Sequence, residues 1–261
     1  MSKTILITGV SSGLGRAMAE AALARGHLVV GTLRDETARR TFEGSAPGRS
    51  IGRLLDVTDT GAIAPLVKSL EAEHGPIDVL INNAGYGHEG ALEEIALEDL
   101  RRQFEVNVFA PVALIQAVLP GMRSRRRGHI LNISSMGGVV TYPGLGAYHG
   151  SKFALLGIGD TLAKEVAPLG VHVTTVQPGF FRSDWGGRSL SRSERKVADY
   201  DWIFDTTQRV DFRWGDPAAL AEVVMATAFT QSTCGGDLAL IPCDRCGFGW
   251  GFVGQSRRCA W

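Results

Sequence analysis

The stretch Thr4-Ile-Leu-Ile-Thr8, followed at once by Gly9-Val-Ser-Ser-Gly13-Leu-Gly15, decides the fold of this chain. The first five residues form an apolar, β-branched run typical of a buried strand. The alanine-rich residues 16–25 predict a helix. A plain strand-to-helix turn needs one glycine, whereas three glycines let the backbone approach a pyrophosphate that the helix N-terminus binds. The spacing G-x-x-x-G-x-G differs from the usual G-x-G-x-x-G, but it still predicts a dinucleotide cofactor.

Further strands and helices alternate along the chain, as in a parallel α/β sheet. Strands are expected at residues 27–33, 52–56, 77–81 and 171–176, with a last one at 237–241. Helices are expected from the cap Asp59 to about His74, over 92–127 and 147–167, and from Asp216-Pro217 to about Phe229.

A serine, a tyrosine and a lysine form the candidate catalytic group. Ser135 follows the apolar run His129-Ile-Leu-Asn-Ile, while Tyr148 and Lys152 are four residues apart in one predicted helix. Residues at this spacing share a helix face. An ammonium near a phenol favours the phenolate and lowers the phenol pKa, which suits acid/base catalysis near neutral pH. A half-buried tyrosine beside an ordinary surface lysine is the alternative.

The end of the second strand bears on the choice of cofactor. A dinucleotide fold usually has an acidic residue there, which binds the ribose 2′-hydroxyl. This chain has Leu33 and then Arg34, and a guanidinium would pair with a 2′-phosphate. The pattern favours NADP(H) over NAD(H). A shift of one or two residues would bring Asp35 into that position and reverse the preference, and Arg34 as a solvated surface charge is the other alternative.

Two amide-containing segments lie near the expected cofactor edge of the sheet. Asn82-Asn83-Ala84-Gly85 follows the fourth strand and would rim a cofactor or simply form a turn. Asn107 lies among apolar residues of a helix, where its amide needs hydrogen-bond partners. Pro111 would bend that helix and free a carbonyl.

The C-terminal third contains an aromatic insertion and a tail rich in Cys and Trp. Residues 180–215 are irregular and aromatic, which indicates a lid over an apolar pocket or a docked helix with its aromatics in the core. Cys243-Asp-Arg-Cys246 has no second pair at metal spacing, so we expect no metal site and inert thiols. The tail at 235–261 is otherwise unexplained.

Composition excludes several function classes. The chain has 261 residues, 44% of them hydrophobic, and a net charge of zero. A single domain with a large core is therefore expected, with no basic surface for nucleic acid. No run of about 18 apolar residues suggests a membrane span. The four cysteines, all after residue 233, do not form a disulfide framework, so we expect a cytoplasmic protein.

Together these motifs resemble those of the short-chain dehydrogenase/reductase family, in its single-domain form. The resemblance covers about residues 3–185. It implies a three-layer, Rossmann-type, doubly wound α/β fold with a seven-stranded parallel sheet. It also implies an oxidoreductase that interconverts a secondary alcohol and a ketone, or an aldehyde, as a homodimer or homotetramer.

The resemblance also assigns roles to residues. Tyr148 would be the acid/base, Lys152 would lower its pKa and bind the nicotinamide ribose, and Ser135, thirteen residues before Tyr148, would hold the substrate oxygen. Asn107 would anchor a water chain to Lys152, and Asp56 would contact the adenine. The expected cofactor-binding residues are Gly9, Ser11, Ser12, Gly13, Leu14, Gly15, Arg34, Asp56, Val57, Asn83, Ala84, Gly85, Tyr148, Lys152, Pro178, Gly179 and Phe181.

The chain departs from the family pattern in two places. The family often has a threonine soon after Pro178-Gly179, and here Ser183 is the available substitute. The tail after Gly235 does not resemble the family's usual ending, and it is either specific to this lineage or the product of an altered reading frame.

Two other functions remain open. A non-enzymatic NADP(H) sensor is one, although a sensor has no need of the four catalytic residues. An epimerase or dehydratase is the other, although such enzymes usually carry a larger C-terminal substrate domain. We expect an enzyme acting on a small apolar carbonyl or alcohol, with no nucleic-acid or membrane partner.

Overall fold

A computed structural model of the chain describes residues 2–181, 187, 189–207, 215–229 and 237–241. Seven strands form one parallel sheet: β1 (Thr4–Thr8), β2 (Leu28–Leu33), β3 (Ser50–Leu54), β4 (Val79–Asn82), β6 (Gly128–Ile133), β7 (Val171–Pro178) and β9 (Asp237–Ile241). Their order in space is β3-β2-β1-β4-β6-β7-β9. Because the order reverses between β1 and β4, the carboxyl ends of these two strands border a crevice of the kind that binds ligands in such folds.

Helices cover both faces of this sheet, so the expected doubly wound α/β fold is confirmed. The helices are α1 (Gly13–Ala24), α2 (Glu36–Ser45), α3 (Thr60–His74), α4 (Leu97–Phe104), α5 (Ala110–Arg125), α6 (Gly146–Val166), α7 (Asp201–Thr207) and α8 (Pro217–Phe229). One core packs α1 and α8 against the sheet, and the other packs α3, α5 and α6 against the opposite face. Two short strands, β5 (Gly87–Glu89) and β8 (Leu190–Arg192), pair outside the main sheet.

Several strands differ slightly from their predicted bounds, and β7, for example, continues to Pro178. β3 begins at Ser50, which pairs with Val29 of β2, and ends before Asp56. β4 begins at Val79, and the preceding Asp78 bonds the neighbouring segments through its backbone and through its carboxylate, which accepts from the Thr4 N–H at 3.2 Å. Pairing with a neighbouring strand sets these bounds, and local sequence does not contain that information.

The long helix predicted over residues 92–127 is divided into α4, a π-helical turn at Glu105–Phe109, and α5. The backbone N–H of Ala110 donates to the carbonyl of Glu105, five residues earlier. Pro111 follows directly and has no N–H to continue the regular ladder. The regular helix is therefore interrupted just before Pro111 by a π-helical turn that contains Asn107, and a bend in the helix axis stays a prediction.

The continuous helical stretch Leu97–Arg125 has the length and apolar character of a membrane span. However, Leu114, Val118 and Met122 are almost fully buried in the core against the sheet. This burial is typical of the core helix of a globular domain.

Candidate active site

Ser135 and Tyr148 meet just beyond the carboxyl end of β6. Ser135 begins a short 3₁₀ turn, Met136–Gly138, and its Oγ accepts a hydrogen bond from the N–H of Gly137 at 3.0 Å. Tyr148 lies in the first turn of α6, buried, and its phenol hydrogen-bonds the Ser135 hydroxyl. Ser134, by contrast, is buried and donates to the carbonyl of Lys152 at 3.1 Å. The hydroxyl of Ser135 is thus the one beside the phenol.

Lys152 lies one helical turn after Tyr148 and completes this group. Its Nζ is 5.8 Å from the centroid of the Tyr148 ring and donates to the carbonyl of Ile133 at 2.9 Å. The side chain is only 6% exposed. A fixed ammonium therefore lies beside the phenol, in a place from which water is largely excluded.

The pKa values within this group correct one expectation from the sequence. Burial raises the pKa of Tyr148 to about 12, and the hydrogen bond from Ser135 only partly opposes this effect. Burial also lowers the pKa of Lys152 to about 8. The predicted lowering of the phenol pKa is therefore absent from the protein alone, because the cost of desolvating a phenolate outweighs the attraction of an ammonium at this distance. At neutral pH the phenol keeps its proton and most Lys152 side chains are charged.

Asn107, in the π-helical turn, holds the backbone of Tyr86 from both sides. Its Oδ1 accepts from the Tyr86 N–H at 3.2 Å, and its Nδ2 donates to the Tyr86 carbonyl at 3.0 Å. Nδ2 also donates at 3.0 Å to Ser151, whose hydroxyl donates to the carbonyl of Tyr148 at 2.7 Å. The buried amide thus ties the segment after β4 to the catalytic helix. Its expected role in a water chain to Lys152 stays a prediction.

The Asn82–Gly85 segment joins the glycine loop to the catalytic residues. The Thr8 hydroxyl accepts from the N–H groups of Asn83 and Ala84, each at 2.9 Å, and Asn83 donates its side-chain amide to the Thr8 carbonyl at 2.9 Å. On the other side, the point where a Gly85 Cβ would lie is 3.1 Å from the Asn107 Oδ1 and 3.7 Å from the Lys152 Nζ. The segment therefore has a structural role and is more than a turn.

The glycine loop has the geometry that a pyrophosphate site requires. Gly9 and Gly13 have φ angles of 73° and 56°, in the region that favours glycine. A Cβ on Gly15 would overlap the carbonyl oxygen of Gly9 and the side-chain amide of Asn83. The first turn of α1 therefore lies directly against the backbone that follows β1, at a distance that only glycine permits.

The N-terminus of α1 is open to an anion, unlike those of the next two helices. The side chains of Asp35 and Asp59 cap α2 and α3. Ser12, at the start of α1, makes no such side-chain bond, and the first turn contains no acidic residue. The first N–H groups of a helix lack partners within it, so this end suits a pyrophosphate. A dinucleotide thus fits the loop formed by residues 9–15.

β2 ends at Leu33, so Arg34 directly follows the strand, as predicted. This is the end of the strand where the ribose of the expected cofactor would lie. The carboxylate of Asp35 caps α2, because its Oδ1 accepts from the N–H of Ala38 at 2.8 Å. Asp56 accepts from the N–H and hydroxyl of Thr58 at 3.0 and 2.8 Å. These bonds lower its pKa, with smaller contributions from the nearby charges of Arg34 and Arg102.

Beyond β7 the structure places only some of the predicted residues. A Cβ on Gly179, after Pro178, would meet no atom of the described residues within 4 Å. The Phe181 ring is buried in the core and packs against Gly215. Its side chain therefore has a packing role, and a backbone contact with a cofactor stays a prediction. Ser183 and all four cysteines lie outside the described residues.

The described part of the expected lid docks onto β5. His88 is buried between two serines, with Nδ1 2.8 Å from the Ser191 hydroxyl and Nε2 2.8 Å from the Ser193 hydroxyl. In α7, Ile203 and Phe204 are buried in a small cluster with Ala91, and Trp202 is 56% exposed. Part of the segment therefore matches the docked-helix alternative. The remaining aromatics Trp185, Phe212 and Trp214 are outside the described residues.

Three residues that contribute to this arrangement were missed by sequence reasoning: Ser151, Gln103 and His149. Gln103 is fully buried and donates to the Tyr86 carbonyl at 2.6 Å. His149 bonds the backbone of the turn after Ser135. Ser151 and His149 adjoin Lys152 and Tyr148 in the sequence, and this was the one available signal for them. Gln103 gave no signal, because its partner is a backbone carbonyl distant in sequence.

Known proteins match both the sequence and this geometry. The short chain dehydrogenase family model matches residues 3–193. The 3-ketodihydrosphingosine reductase of Bacteroides thetaiotaomicron is 41% identical over 201 residues, which are 75% of this chain and 71% of the relative. The NADPH-dependent 3-dehydrocapnine reductase of Ornithobacterium rhinotracheale is 36% identical over 76% of this chain and 73% of its own.

A solved structure extends the match to the fold. The crystal structure of a short-chain dehydrogenase from Streptomyces avermitilis has a TM-score of 0.84 and 40% identity, and the match covers 91% of this chain and 88% of the other. With the glycine loop, the Asn82–Gly85 segment and the Ser135, Tyr148 and Lys152 group in place, the chain belongs to the short-chain dehydrogenase/reductase family.

Proposed function

We propose that this protein is an NADP(H)-dependent oxidoreductase that interconverts a ketone, or an aldehyde, and an alcohol, with Tyr148 as the acid/base. The observation that carries the proposal is the hydrogen bond between Ser135 and Tyr148 beside the Lys152 ammonium. This group lies next to Gly85, at the edge of the expected cofactor crevice. Acid, hydroxyl donor and cation thus converge where a carbonyl would be reduced.

Each side chain has a defined task in reduction. The bound dinucleotide would supply the hydride. Ser135 donates a hydrogen bond to the carbonyl oxygen and so stabilises the negative charge that develops there. Tyr148 then transfers its proton to that oxygen. A pKa of about 12 in the free protein does not prevent this step, because an alkoxide is a stronger base than a phenolate.

Lys152 stabilises the phenolate left after the transfer. Its ammonium is 5.8 Å from the ring centroid and is held by the carbonyl of Ile133. In a site that excludes water, a charge at this distance acts more strongly than it would in solvent. In oxidation the same residues work in reverse, with the phenolate of Tyr148 as the base.

The preference for NADP(H) rests on Arg34 and Asp35. Arg34 is exposed after β2 and, within the described residues, forms no ion pair. The carboxylate of Asp35 is used to cap α2. A 2′-phosphate would thus meet a cation and no competing acid from this position. The NADPH dependence named for the 3-dehydrocapnine reductase supports the same choice.

For the substrate we propose an apolar molecule with a ketone at the third carbon of a chain. Both named relatives act on compounds with an oxidised third carbon, 3-ketodihydrosphingosine and 3-dehydrocapnine. The turn after Ser135 presents Val139, Val140 and Tyr142 to solvent. Ile203 of α7 packs against Gly144 from the other side. Apolar walls of this kind suit an apolar chain.

The non-enzymatic sensor is the second candidate, and one assay separates it from an enzyme. NADPH oxidation is followed with a panel of 3-oxo compounds, simple ketones and aldehydes, alongside NADPH binding by fluorescence. The proposed enzyme turns over at least one carbonyl. Tight NADPH binding without turnover of any of them would favour the sensor. A cytoplasmic location and a homodimer or homotetramer remain part of the proposal.

A further inference from the structure

A buried histidine next to the catalytic tyrosine holds the turn that follows Ser135. The His149 Nδ1 is 2.8 Å from the carbonyl oxygen of Gly137, and its Nε2 accepts a hydrogen bond from the N–H of Tyr142 at 2.8 Å. The side chain is 4% exposed. One ring on α6 therefore bonds both ends of the backbone segment 137–142.

These partners fix the protonation state of the ring. A backbone N–H can only donate, so Nε2 must offer a lone pair to Tyr142. A carbonyl can only accept, so Nδ1 must carry the proton that bonds Gly137. The imidazole of His149 is thus neutral, in the Nδ1–H form, and a second proton on Nε2 would break the bond to Tyr142.

The segment that the ring holds connects the catalytic serine to the pocket wall. The N–H of Gly137 donates to the Ser135 Oγ at 3.0 Å, while the Gly137 carbonyl bonds His149. A Cβ on Gly137 would lie 2.9 Å from the His149 Nδ1 and 3.0 Å from the Tyr148 Cε1. This packing leaves little freedom at Gly137, and so little freedom in the orientation of the serine.

The far end of the segment leads to the lid. Val139 and Val140 are 44% and 46% exposed. Farther on, the Gly144 carbonyl accepts from the N–H of Gly90 at 2.8 Å, and Ile203 of α7 packs on Gly144. The exposed middle of the segment therefore lies between two fixed points, of which the His149 ring is one.

We propose that His149, as a neutral Nδ1–H imidazole, is a positioning residue that fixes the turn 137–142 and with it the Ser135 hydroxyl and the substrate-facing wall. The inference rests on the proposed function, because the wall and the serine serve the carbonyl substrate. Because the ring orders the turn before the substrate binds, binding does not have to include the entropy loss of ordering the turn. The ring therefore acts mainly on KM.

The environment of the ring makes this role dependent on pH. The titratable groups whose rings lie near the imidazole are Tyr142 of the turn and Tyr148 of α6, at centroid distances of 5.9 Å each. No charged residue occurs from Ser135 to Gly146, and the Lys152 ammonium bonds Ile133. Burial lowers the pKa of His149, so the bond from the Tyr142 N–H to Nε2 persists below the pH at which a free histidine titrates and is lost under more acid conditions. The Nδ1–H group still donates to the Gly137 carbonyl when the ring is protonated.

The test compares His149→Phe, which keeps an aromatic ring without the bonds, with His149→Gln, whose amide supplies one donor and one acceptor. Loss of the two hydrogen bonds predicts that His149→Phe raises the KM for the carbonyl ~10-fold or more. The kcat should fall by a smaller factor, because the Ser135 hydroxyl is held less firmly, and NADPH affinity should change little. Hydrogen–deuterium exchange by mass spectrometry should show faster exchange of peptide 137–142. His149→Gln should restore most of both properties.

The pH profile gives a second and independent readout. The wild-type KM should rise as the pH falls below the lowered pKa of His149, whereas the KM of His149→Gln should stay flat. His74→Gln, in a partly exposed position of α3 away from the site, should follow the wild type.

Wild-type KM and wild-type exchange in His149→Phe would overturn the inference. If His149→Phe does not fold, the pH profile still decides: a KM that rises at low pH in His149→Gln, as in the wild type, would also overturn the inference. Full activity of Tyr148→Phe would instead overturn the proposed function, and the exchange result would still test His149.

Discussion

The carboxylate of Asp35 accepts a hydrogen bond from the backbone N–H of Ala38 at 2.8 Å and so caps α2, while Arg34, directly before it, is exposed. Many dinucleotide folds place a free acid there, which repels a 2′-phosphate. Here the acid is used to begin α2. We therefore proposed NADP(H) as the cofactor, with Arg34 as the residue that binds the 2′-phosphate.

Arg34→Ala should therefore weaken NADPH binding by ~1–3 kcal/mol, the range for a hydrogen bond to a charged group, and leave NADH binding nearly unchanged. Fluorescence titration of both cofactors measures this. Arg40→Ala is the matched control, since Arg40 is an exposed arginine of the following helix, α2, and pairs with Glu36 at 3.0 Å. Equal losses for the two cofactors, or wild-type binding of NADH as tight as that of NADPH, would refute the assignment.

Gly15→Ala should abolish cofactor binding and destabilise the fold. Its Cβ would overlap the Gly9 backbone and the Asn83 side chain, which are themselves joined by hydrogen bonds from the Asn83 Nδ2 to the Thr8 and Gly9 carbonyls. Gly44→Ala is the control, because a Cβ there meets no atom within 4 Å in α2. Removing a helical glycine should stabilise by about 0.5–1 kcal/mol. Thermal melting with and without NADPH measures both effects, and NADPH stabilisation of Gly15→Ala would contradict the geometry.

Ser135→Ala should lower kcat by about 10²-fold, the loss observed when one donor to a developing oxyanion is removed. Ser134→Ala, one residue earlier, removes a bond to the Lys152 carbonyl. It should cost about 0.5–1.5 kcal/mol of stability and much less activity. Steady-state kinetics and urea unfolding of both variants give the comparison. A larger kinetic loss in Ser134→Ala would reverse the choice between the two serines.

Acid stability should depend on His129, which is buried in β6 with its Nε2 2.9 Å from the Thr174 hydroxyl. Burial lowers its pKa to about 4. The unfolded chain then binds a proton that the folded chain does not, so stability falls as the pH drops from about 6.5 to 4, by up to about 3 kcal/mol. Urea unfolding from pH 7 to 4 measures the slope, which should be smaller in His129→Gln. A wild-type stability independent of pH over this range would contradict the prediction.

Local sequence signals were enough for much of this architecture. The glycine loop, the cap at Asp59, the start of α8 at Pro217 and the last strand at Asp237–Ile241 all lie where their residues predict. Each depends on neighbours in sequence: a proline without an N–H, an acid before a helix, or an apolar run. The same holds for the spacing of Tyr148 and Lys152 on one helix.

The remainder depends on contacts between distant segments. The bounds of β3 and β4 follow from pairing with neighbouring strands, and the ring of His149 bonds a turn whose path the sequence does not show. The pKa of Tyr148 is the clearest case. Spacing predicts a lowered value from Lys152, but burial, which only the fold reveals, raises it. Burial and backbone partners are properties of the folded chain.

The most direct test of the central claim is NADPH-dependent reduction of a panel of 3-oxo compounds by Tyr148→Phe. This variant keeps the ring and its packing but has no proton to give. The account predicts unchanged NADPH binding and a turnover at least ~10²-fold below the wild type, within the range of general acid catalysis. Turnover equal to that of the wild type would contradict the assignment of Tyr148 as the acid.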